Sequence, residues 1–594
     1  MTHIAEGSHR LAISVLRPSS EQELLNSIRD FQDVCFIRLP TPLIRDQNVQ
    51  AQIPAGLLSH VSNVLATSAT LIIFGDVSEL VHLHAESGPQ LHYHSWIAIK
   101  QHNRNNFLDQ TSLPHQHVGA MIYTKYEGKL NHSTVRLEYT YCLACNRTTK
   151  DYGGKKHTYH HSGTLISDVW RDIAIDATTD ISPVLERFAD LFGIEQYREI
   201  RVVDLSMPDQ NSGQMGLKRV PHYPPTIPTI GSHLVHGDSL TELRALPDNS
   251  IDFAFADPPY NLKKDYHGYK DDLNIEDYFS WCDQWISEVA RVLRLGGTFA
   301  LLNIPLWSIR HFLHLETALS YQNWIVWDAL SFPVRRIMPS HYTILCFSKG
   351  EARPLPGLSS LFDSENTPTN SLALTSLKPL AEDYCIRASC VSNRSKYQAA
   401  DRGRLTDIWW DIHRLKHNSR RVDHPCQLPP QLLYRLITLF TEPGELVLDC
   451  FNGAGTTTLA AHQLGRRYIG IEIEEKYHQM AVARHYEIQQ GIDPFRKEER
   501  ILTEKNSSVK RRKKQKYEVT KKILQLEVRR IAQELGRLPT RTEVEQSGQY
   551  PIRLYNEYFA SWGEVCAAAR TTGMTETRDT QPEVNERSSQ PRLF

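Results

Sequence analysis

Long hydrophobic runs are missing from this chain of 594 residues. No apolar stretch reaches the roughly eighteen residues that a membrane-spanning helix needs, so no membrane partner is expected. The segment from Met1 to Ser20 also lacks a signal-peptide pattern, and a cytoplasmic protein is expected. A disulfide framework is absent too. The ten cysteines are scattered, and in a reducing compartment most should remain thiols. Net charge is nearly nil, with 67 Lys and Arg against 68 Asp and Glu, so any charged partner must be met by a local patch. No stretch looks like a nuclease active site. With 27 histidines, only clustered ones carry information. The apolar share of 40% and charged share of 23% are ordinary for a globular protein, and the length predicts two to four domains.

What stands out is Asp257-Pro258-Pro259-Tyr260. It follows Ile251-Asp252-Phe253-Ala254-Phe255, a short run with strand character. Two prolines cannot donate to a sheet ladder, so the strand must end there. A carboxylate, a backbone carbonyl and an aromatic ring are then held at the C-terminal edge of a strand, where open α/β sheets place ligands. Before it, His233 to Ser239 reads as a strand ending in Gly237-Asp238. After it, Tyr278 to Leu295 reads as an amphipathic helix that Gly296-Gly297 should stop.

A second signal lies farther on. Glu445 to Asp449 reads as a strand, and Phe451-Asn452-Gly453-Ala454-Gly455-Thr456 opens a helix. Glycines at a strand-to-helix turn let backbone N–H groups approach a ligand. The next strand ends in Glu472, and an acid at that place commonly binds ribose hydroxyls.

Together these features resemble the β-ordered DNA amino-methyltransferases, the adenine-N6 and cytosine-N4 family, over residues 231–485. His424-Pro425-Cys426-Gln427-Leu428-Pro429 and the Phe-x-Gly-x-Gly turn fit that family. Cys450 departs from it, where proline is usual. The resemblance implies a Rossmann-like α/β fold and S-adenosyl-L-methionine as methyl donor. It implies that Phe451, Gly453, Gly455 and Thr456 shape the donor pocket and Glu472 holds its ribose. Asp449, Asp238, His424, Pro425 and Gln427 would line the same pocket. Residues 350–423 would hold the segment that reads target sequence. The chemistry suits the residue types. An exocyclic amino nitrogen shares its lone pair with the base. Asp257 and the Pro258 carbonyl can accept its two hydrogens and localise that pair. Tyr260 would stack on a base flipped from the duplex.

The first part of the chain reads as a degenerate copy of this unit. Thr70 to Trp96 and Thr298 to Trp324 each span 26 positions. Strand-like runs at 33–37, 117–125, 167–173 and 202–204 answer 252–256, 341–349, 406–412 and 447–449 in the same order. Arg38-Leu39-Pro40-Thr41 replaces the Asp257 tetrapeptide, and Leu205-Ser206-Met207-Pro208-Asp209 lacks the turn glycines. The first copy should be catalytically silent. An internal pseudodimer is expected, and with it a monomeric chain; the alternative is an unrelated α/β domain.

Within that copy, Cys142-x2-Cys145, eleven residues, then His157-x2-His160, with His161 as alternate, has zinc-ligand spacing. The alternative is two buried cysteines and a polar loop.

The expected organisation is therefore a degenerate domain over 1–215 with a zinc knuckle near 142–161, then a Pro-rich linker at 216–230. A catalytic domain over 231–495 and a basic linker at 496–520 follow, the latter carrying Lys510-Arg511-Arg512-Lys513-Lys514. A small all-α module over 521–574 and a disordered tail at 575–594 complete the chain. Gly536-Arg537-Leu538-Pro539-Thr540 and Phe559-Ala560-Ser561-Trp562 resemble the DNA-binding repeats associated with homing endonucleases. The function implied is site-specific methylation of adenine N6 in double-stranded DNA, alongside a cognate restriction endonuclease or defence proteins. Cytosine-N4 or RNA methylation, and a non-catalytic DNA-binding protein, are the alternatives.

Overall fold

In the computed structural model the chain divides into two units, Met1–Glu499 with Pro591–Phe594, and Arg500–Gln590. The structure describes residues 12–29, 31–40, 54, 56–102, 110–126, 130, 132–148, 160, 163–176, 180–193, 199–206, 230–262, 265–266, 269–270, 272–329, 337–358, 371–382, 384–396, 401–414, 427–495, 519, 521–556, 558–559 and 561–569. Among them, no helix is long and apolar enough to cross a membrane.

The first unit holds two large sheets and three short strand pairs among the described residues. One is built from β1 (Ala12–Leu16), β2 (Val34–Arg38), β3 (Thr70–Gly75), β4 (Leu91–Gln101) and β5 (His117–Lys125). Short pairs follow: β6 (Arg136–Leu137) with β9 (Thr164–Leu165), and β7 (Tyr141–Cys142) with β8 (Arg147–Thr148). The strands β10 (Val169–Ile175) and β11 (Glu199–Asp204) complete it, in the order β1-β11-β2-β3-β5-β4-β10. The other sheet uses β12 (His233–His236), β13 (Ile251–Ala256), β16 (Leu293–Asn303), β17 (Ser320–Asp328), β18 (His341–Ser348), β19 (Ile408–Trp409), β20 (Leu446–Asp449) and β21 (Arg467–Glu472). Its order is β12-β21-β20-β13-β16-β18-β17-β19, and a small hairpin joins β14 (Asp265–Tyr266) to β15 (Tyr269–Lys270). The central strands β2, β3, β13 and β20 are buried at every position, as parallel strands covered on both faces must be.

Six strands of the two sheets follow one order, and in most pairs one register. Thr70 lies opposite Thr124 as Thr298 lies opposite Ser348. Trp96 faces Met121 as Trp324 faces Leu345, and the ladder is broken between Tyr93 and Ser95 as between Tyr321 and Asn323. Two differences bear on chemistry. β1 pairs directly with β11, whereas β21 is inserted between β12 and β20, so β1, which ends in Val15-Leu16 rather than an acid, stands where the Glu472 strand stands, and among the described residues no strand lies beyond it. In addition, Asp204 lies alongside Arg38, while Asp449 lies alongside Phe255.

The expected helix stop at Gly296-Gly297 is corrected. The helix Ile275–Val292, capped by the Asn274 side chain, ends at Leu293. Both glycines belong to β16. They lie where the register with β13 shifts, between the pairs Ile251–Leu293 and Phe253–Thr298. A Cβ on Gly297 would stand 2.8 Å from the Asp252 carbonyl, so glycine serves a bulge there rather than a cap.

The two sheets share a core. Trp96 and Trp324, both fully buried, join one apolar cluster that runs from Leu24 to Ile471. The halves also exchange segments reciprocally. Leu113 donates its N–H to Asn323 Oδ1 (2.9 Å), and the Gln322 amide reaches the Thr111 carbonyl (2.6 Å). In return, Met338 donates to the Ile166 carbonyl (2.8 Å), and Asp168 Oδ1 accepts the Ser340 and His341 N–H groups at 2.8 and 3.0 Å.

The second unit, taken alone, contains helices Lys521–Leu535, Arg541–Ser547, Ile552–Asn556 and Trp562–Ala569. Thr540 and Glu543 form a reciprocal capping box. Leu524, Val528, Ile531, Val544, Tyr555 and Phe559 make its core.

Candidate active site

The C-terminal ends of β13, β20 and β21 lie side by side, and each carries an acid. Phe255 pairs with Asp449, and Asp449 with Gly470, so Asp257, Asp449 and Glu472 fall in a row across the sheet edge. Strand β13 ends at Ala256, as the two prolines require. The Tyr260 hydroxyl donates to Asp257 Oδ1 at 2.7 Å. Tyr278 donates to the Pro259 carbonyl at 2.9 Å, and Trp307 Nε1 to the Tyr260 carbonyl at 2.9 Å. Asn261 turns the chain in the left-handed region, φ 56°, and exchanges hydrogen bonds with the Leu273 backbone. The tetrapeptide is thus held by its own Tyr260–Asp257 bond, by two bonds from distant aromatic residues, and by the Asn261 turn that follows it. The Tyr260 ring is only 7% exposed, so as it stands it orients Asp257 more than it offers a face to a base.

The glycine turn follows Asp449. Gly453 and Gly455 take left-handed conformations, φ 50° and 84°, which a Cβ would strain. A Cβ on Gly455 would also meet that of Ala481 at 2.9 Å. Glu472 accepts the Gly453 N–H at 2.7 Å through one oxygen and the Glu474 N–H at 2.9 Å through the other. Asp449 accepts the Phe451 N–H at 2.9 Å and is also bonded by the Thr457 side chain. The Phe451 ring packs edge-on against Trp281 and Trp285. Thr456 is buried as the first residue of the helix Thr456–Gln463.

Burial pushes the Asp449 carboxyl up to about 7, and the charges of Asp257 and Glu472 add to the rise. Burial also raises Glu472. This edge is therefore an acidic, partly dehydrated cluster that a cation with hydroxyl donors would relieve. A sulfonium nucleoside fits that description.

Of the other expected pocket residues, Asp238 is exposed. Its carboxylate caps the helix Ser239–Ala245 through Thr241, one strand beyond Glu472. Gln427 is half-buried, just ahead of the helix Pro430–Phe440. His424 and Pro425 lie outside the described residues. Sequence reading missed Tyr342, whose ring lies 6.5 Å from Tyr260 and 4.2 Å from the Arg414 guanidinium. A lone aromatic at a strand start carries no signal in sequence.

The first sheet has a different edge. Arg38 Nη1 lies 3.5 Å from Asp204 Oδ2, and both side chains are buried. Asp204 Oδ1 also accepts the Ser206 N–H (3.0 Å) and hydroxyl (2.5 Å). An arginine thus occupies the position of the acceptor, and it neutralises the acid beside it.

The expected zinc set is brought together only in part among the described residues. His157 and His161 lie outside the described residues, and His160 is exposed, away from the thiols. Cys142 and Cys145 are instead joined by Cys385 and Cys390, all four sulfurs within 4.8 Å of one another.

Comparison with known proteins agrees with this geometry. The DNA methylase family matches residues 251–483, and the homing endonuclease associated repeat matches residues 519–569. DNA adenine methyltransferase YhdJ of Escherichia coli is 31% identical over 265 residues, which are 43% of this chain and 84% of that protein. Type II methyltransferase M.BamHI of Bacillus amyloliquefaciens is 33% identical over 244 residues, 40% of this chain. The chain spans about half the length of that relative, 54%. Among solved structures, PvuII DNA methyltransferase (cytosine-N4-specific) aligns at 19% identity over 43% of this chain and 86% of that one, with a TM-score of 0.30. By its tetrapeptide, its glycine turn, the family match and the relation to YhdJ, the chain belongs to the DNA methylase family.

Proposed function

We propose that the chain transfers a methyl group from S-adenosyl-L-methionine to N6 of adenine at a specific site in duplex DNA, within restriction-modification, phage defence or epigenetic marking. The observation that carries this reading is the fixed Asp257 carboxylate beside the acidic glycine turn. Asp449, Glu472, Phe451, Gly453 and Gly455 would hold the donor, with Thr456, Asp238, His424, Pro425 and Gln427 around it. When bound, the donor supplies an electrophilic methyl on a sulfonium.

The protein's part is to prepare the nucleophile. Asp257 accepts one N–H of the amino group and the Pro258 carbonyl the other. This shifts nitrogen toward sp³ and frees its lone pair. The freed lone pair would accept the methyl that the donor supplies, and the donor would leave as a neutral thioether. The surplus amino proton leaves through Asp257. Tyr260 keeps that carboxylate aimed, and Tyr260 or Tyr342 would meet a flipped base.

The matched strand order and register support a duplication, with one active and one silent copy. The silent copy would handle DNA as the second subunit of a methyltransferase pair does, so that one chain suffices. The basic segment at 496–520 and the helical repeat would add contacts to duplex phosphates. A cognate restriction endonuclease or defence proteins would act on the same sites, in the cytoplasm. Adenine is preferred over cytosine on the relation to YhdJ. Chromatography of nucleosides from DNA treated with the purified chain tests this. N6-methyladenine is expected, and N4-methylcytosine alone would refute it.

A further inference from the structure

Four cysteines distant in sequence meet where the first half touches the insert of the second. Cys142 ends β7 and Cys145 lies in the turn that leads to β8, with Asn146 left-handed at φ 51° and its N–H bonded to the Cys142 carbonyl at 3.0 Å. Cys390 lies on the helix Ala388–Lys396, and Cys385 just before it. Cys142 Sγ is 3.9 Å from Cys390 Sγ, and Cys145 Sγ is 3.9 Å from Cys385 Sγ. Neither distance is a disulfide, which needs about 2.05 Å, and all four are free thiols. A zinc ion bonded to four thiolates at about 2.3 Å sets its sulfurs about 3.8 Å apart. The spacing seen here is that of a ligand tetrahedron.

The surroundings suit four thiolates. The Cys385 N–H points to Cys142 Sγ at 3.3 Å. Arg394 donates to Cys390 Sγ at 2.8 Å, and its other nitrogens are held by the Cys385 carbonyl and the Asp401 carboxylate. N–H donors and a buried guanidinium offset the negative charge that such a centre carries.

We propose that Cys142, Cys145, Cys385 and Cys390 bind one zinc ion that fastens the hairpin of the first half to the insert of the second. The ion is structural, because a closed set of four thiolates leaves no position for substrate. It holds the insert, where the target-reading segment is expected, in a fixed place on the first half.

Elemental mass spectrometry of the full chain, purified under reducing conditions, tests the proposal. About one zinc per chain is expected. Cys385→Ser and Cys390→Ser should lose it, while His160→Ala and Cys346→Ser should keep it. Absence of zinc from the unaltered chain, iron in its place, or loss in His160→Ala with retention in Cys385→Ser would overturn it. Because a cysteine variant can misfold, cobalt exchange into the unaltered protein provides an independent reading. Thiolate-to-metal charge transfer with tetrahedral ligand-field bands is expected, and an octahedral spectrum would refute the ligand set. Neither result depends on methyl transfer, so this proposal and the proposed function fail separately.

Discussion

Trp96 and Trp324 stack on each other, ring centroids 4.8 Å apart and planes 16° from parallel. Each occupies the same register position in its own sheet, opposite Met121 and Leu345. In the proposed duplication, this contact between matching residues would lie on a local two-fold axis inside one chain. Around it, the helix Val77–Ala85 meets the helix Pro305–Leu315, with His82 bonded to Glu316 at 2.8 Å.

Truncating either indole should therefore loosen both halves at once. Trp96→Ala and Trp324→Ala should each cost about 3–5 kcal/mol. The double variant should cost less than their sum by about 1 kcal/mol. Urea denaturation of the four proteins measures this, and full additivity would mean that the stack carries no coupling.

The Arg38–Asp204 edge, proposed as silent, should matter for stability and not for chemistry. Arg38→Met leaves the buried Asp204 carboxylate to Ser206 and to the exposed Arg17, 3.4 Å away, and should destabilise the chain by about 3 kcal/mol. The turnover of the folded protein should not change. A large fall in kcat with the melting temperature intact would place Arg38 in the reaction.

Donor binding should depend on pH through Asp449. Its carboxyl is pushed up to about 7 by burial and neighbouring acids, so it is largely neutral below that pH. A cation favours the ionised form. Affinity for the donor should fall as pH drops below 7 and level off above it. Calorimetry from pH 5.5 to 8.5 reads this, and a flat profile would remove Asp449 from the pocket.

The interface should weaken in alkali through His115. Burial opposes its charge, yet Asp407 and Asp76 raise its imidazole to about 9, with Asp407 at 2.8 Å and Asp76 at 3.3 Å. A raised folded value means that this stabilisation is fully present below the usual 6.5 and is lost as pH rises through 9. The stability of the unaltered chain should decline over that window. His115→Gln should flatten the decline, and an unchanged slope in the variant would exclude the group.

Much of the strand plan was legible because buried parallel strands are continuous apolar runs. The acids beyond β13, β20 and β21 were legible because prolines and glycines fix where strands end. Other features were not. Gly296-Gly297 resembled a helix stop because a bulge and a cap call for the same residue. Cys385 and Cys390 went unseen as ligands because spacing rules read local sets, while their partners lie some 240 residues away. The anchoring of the tetrapeptide's backbone by Tyr278 and Trp307 also came from distant residues that no motif names.

The central claim rests on the Asp257 carboxylate. Transfer of labelled methyl to duplex DNA by the full chain, compared with Asp257→Asn, tests it most directly, with donor binding measured in parallel. An amide keeps the shape, but accepts less strongly and cannot take the proton. The variant should bind donor as the unaltered chain does and lose at least about a hundredfold in kcat. Transfer that persists at the original rate in Asp257→Asn would contradict the account.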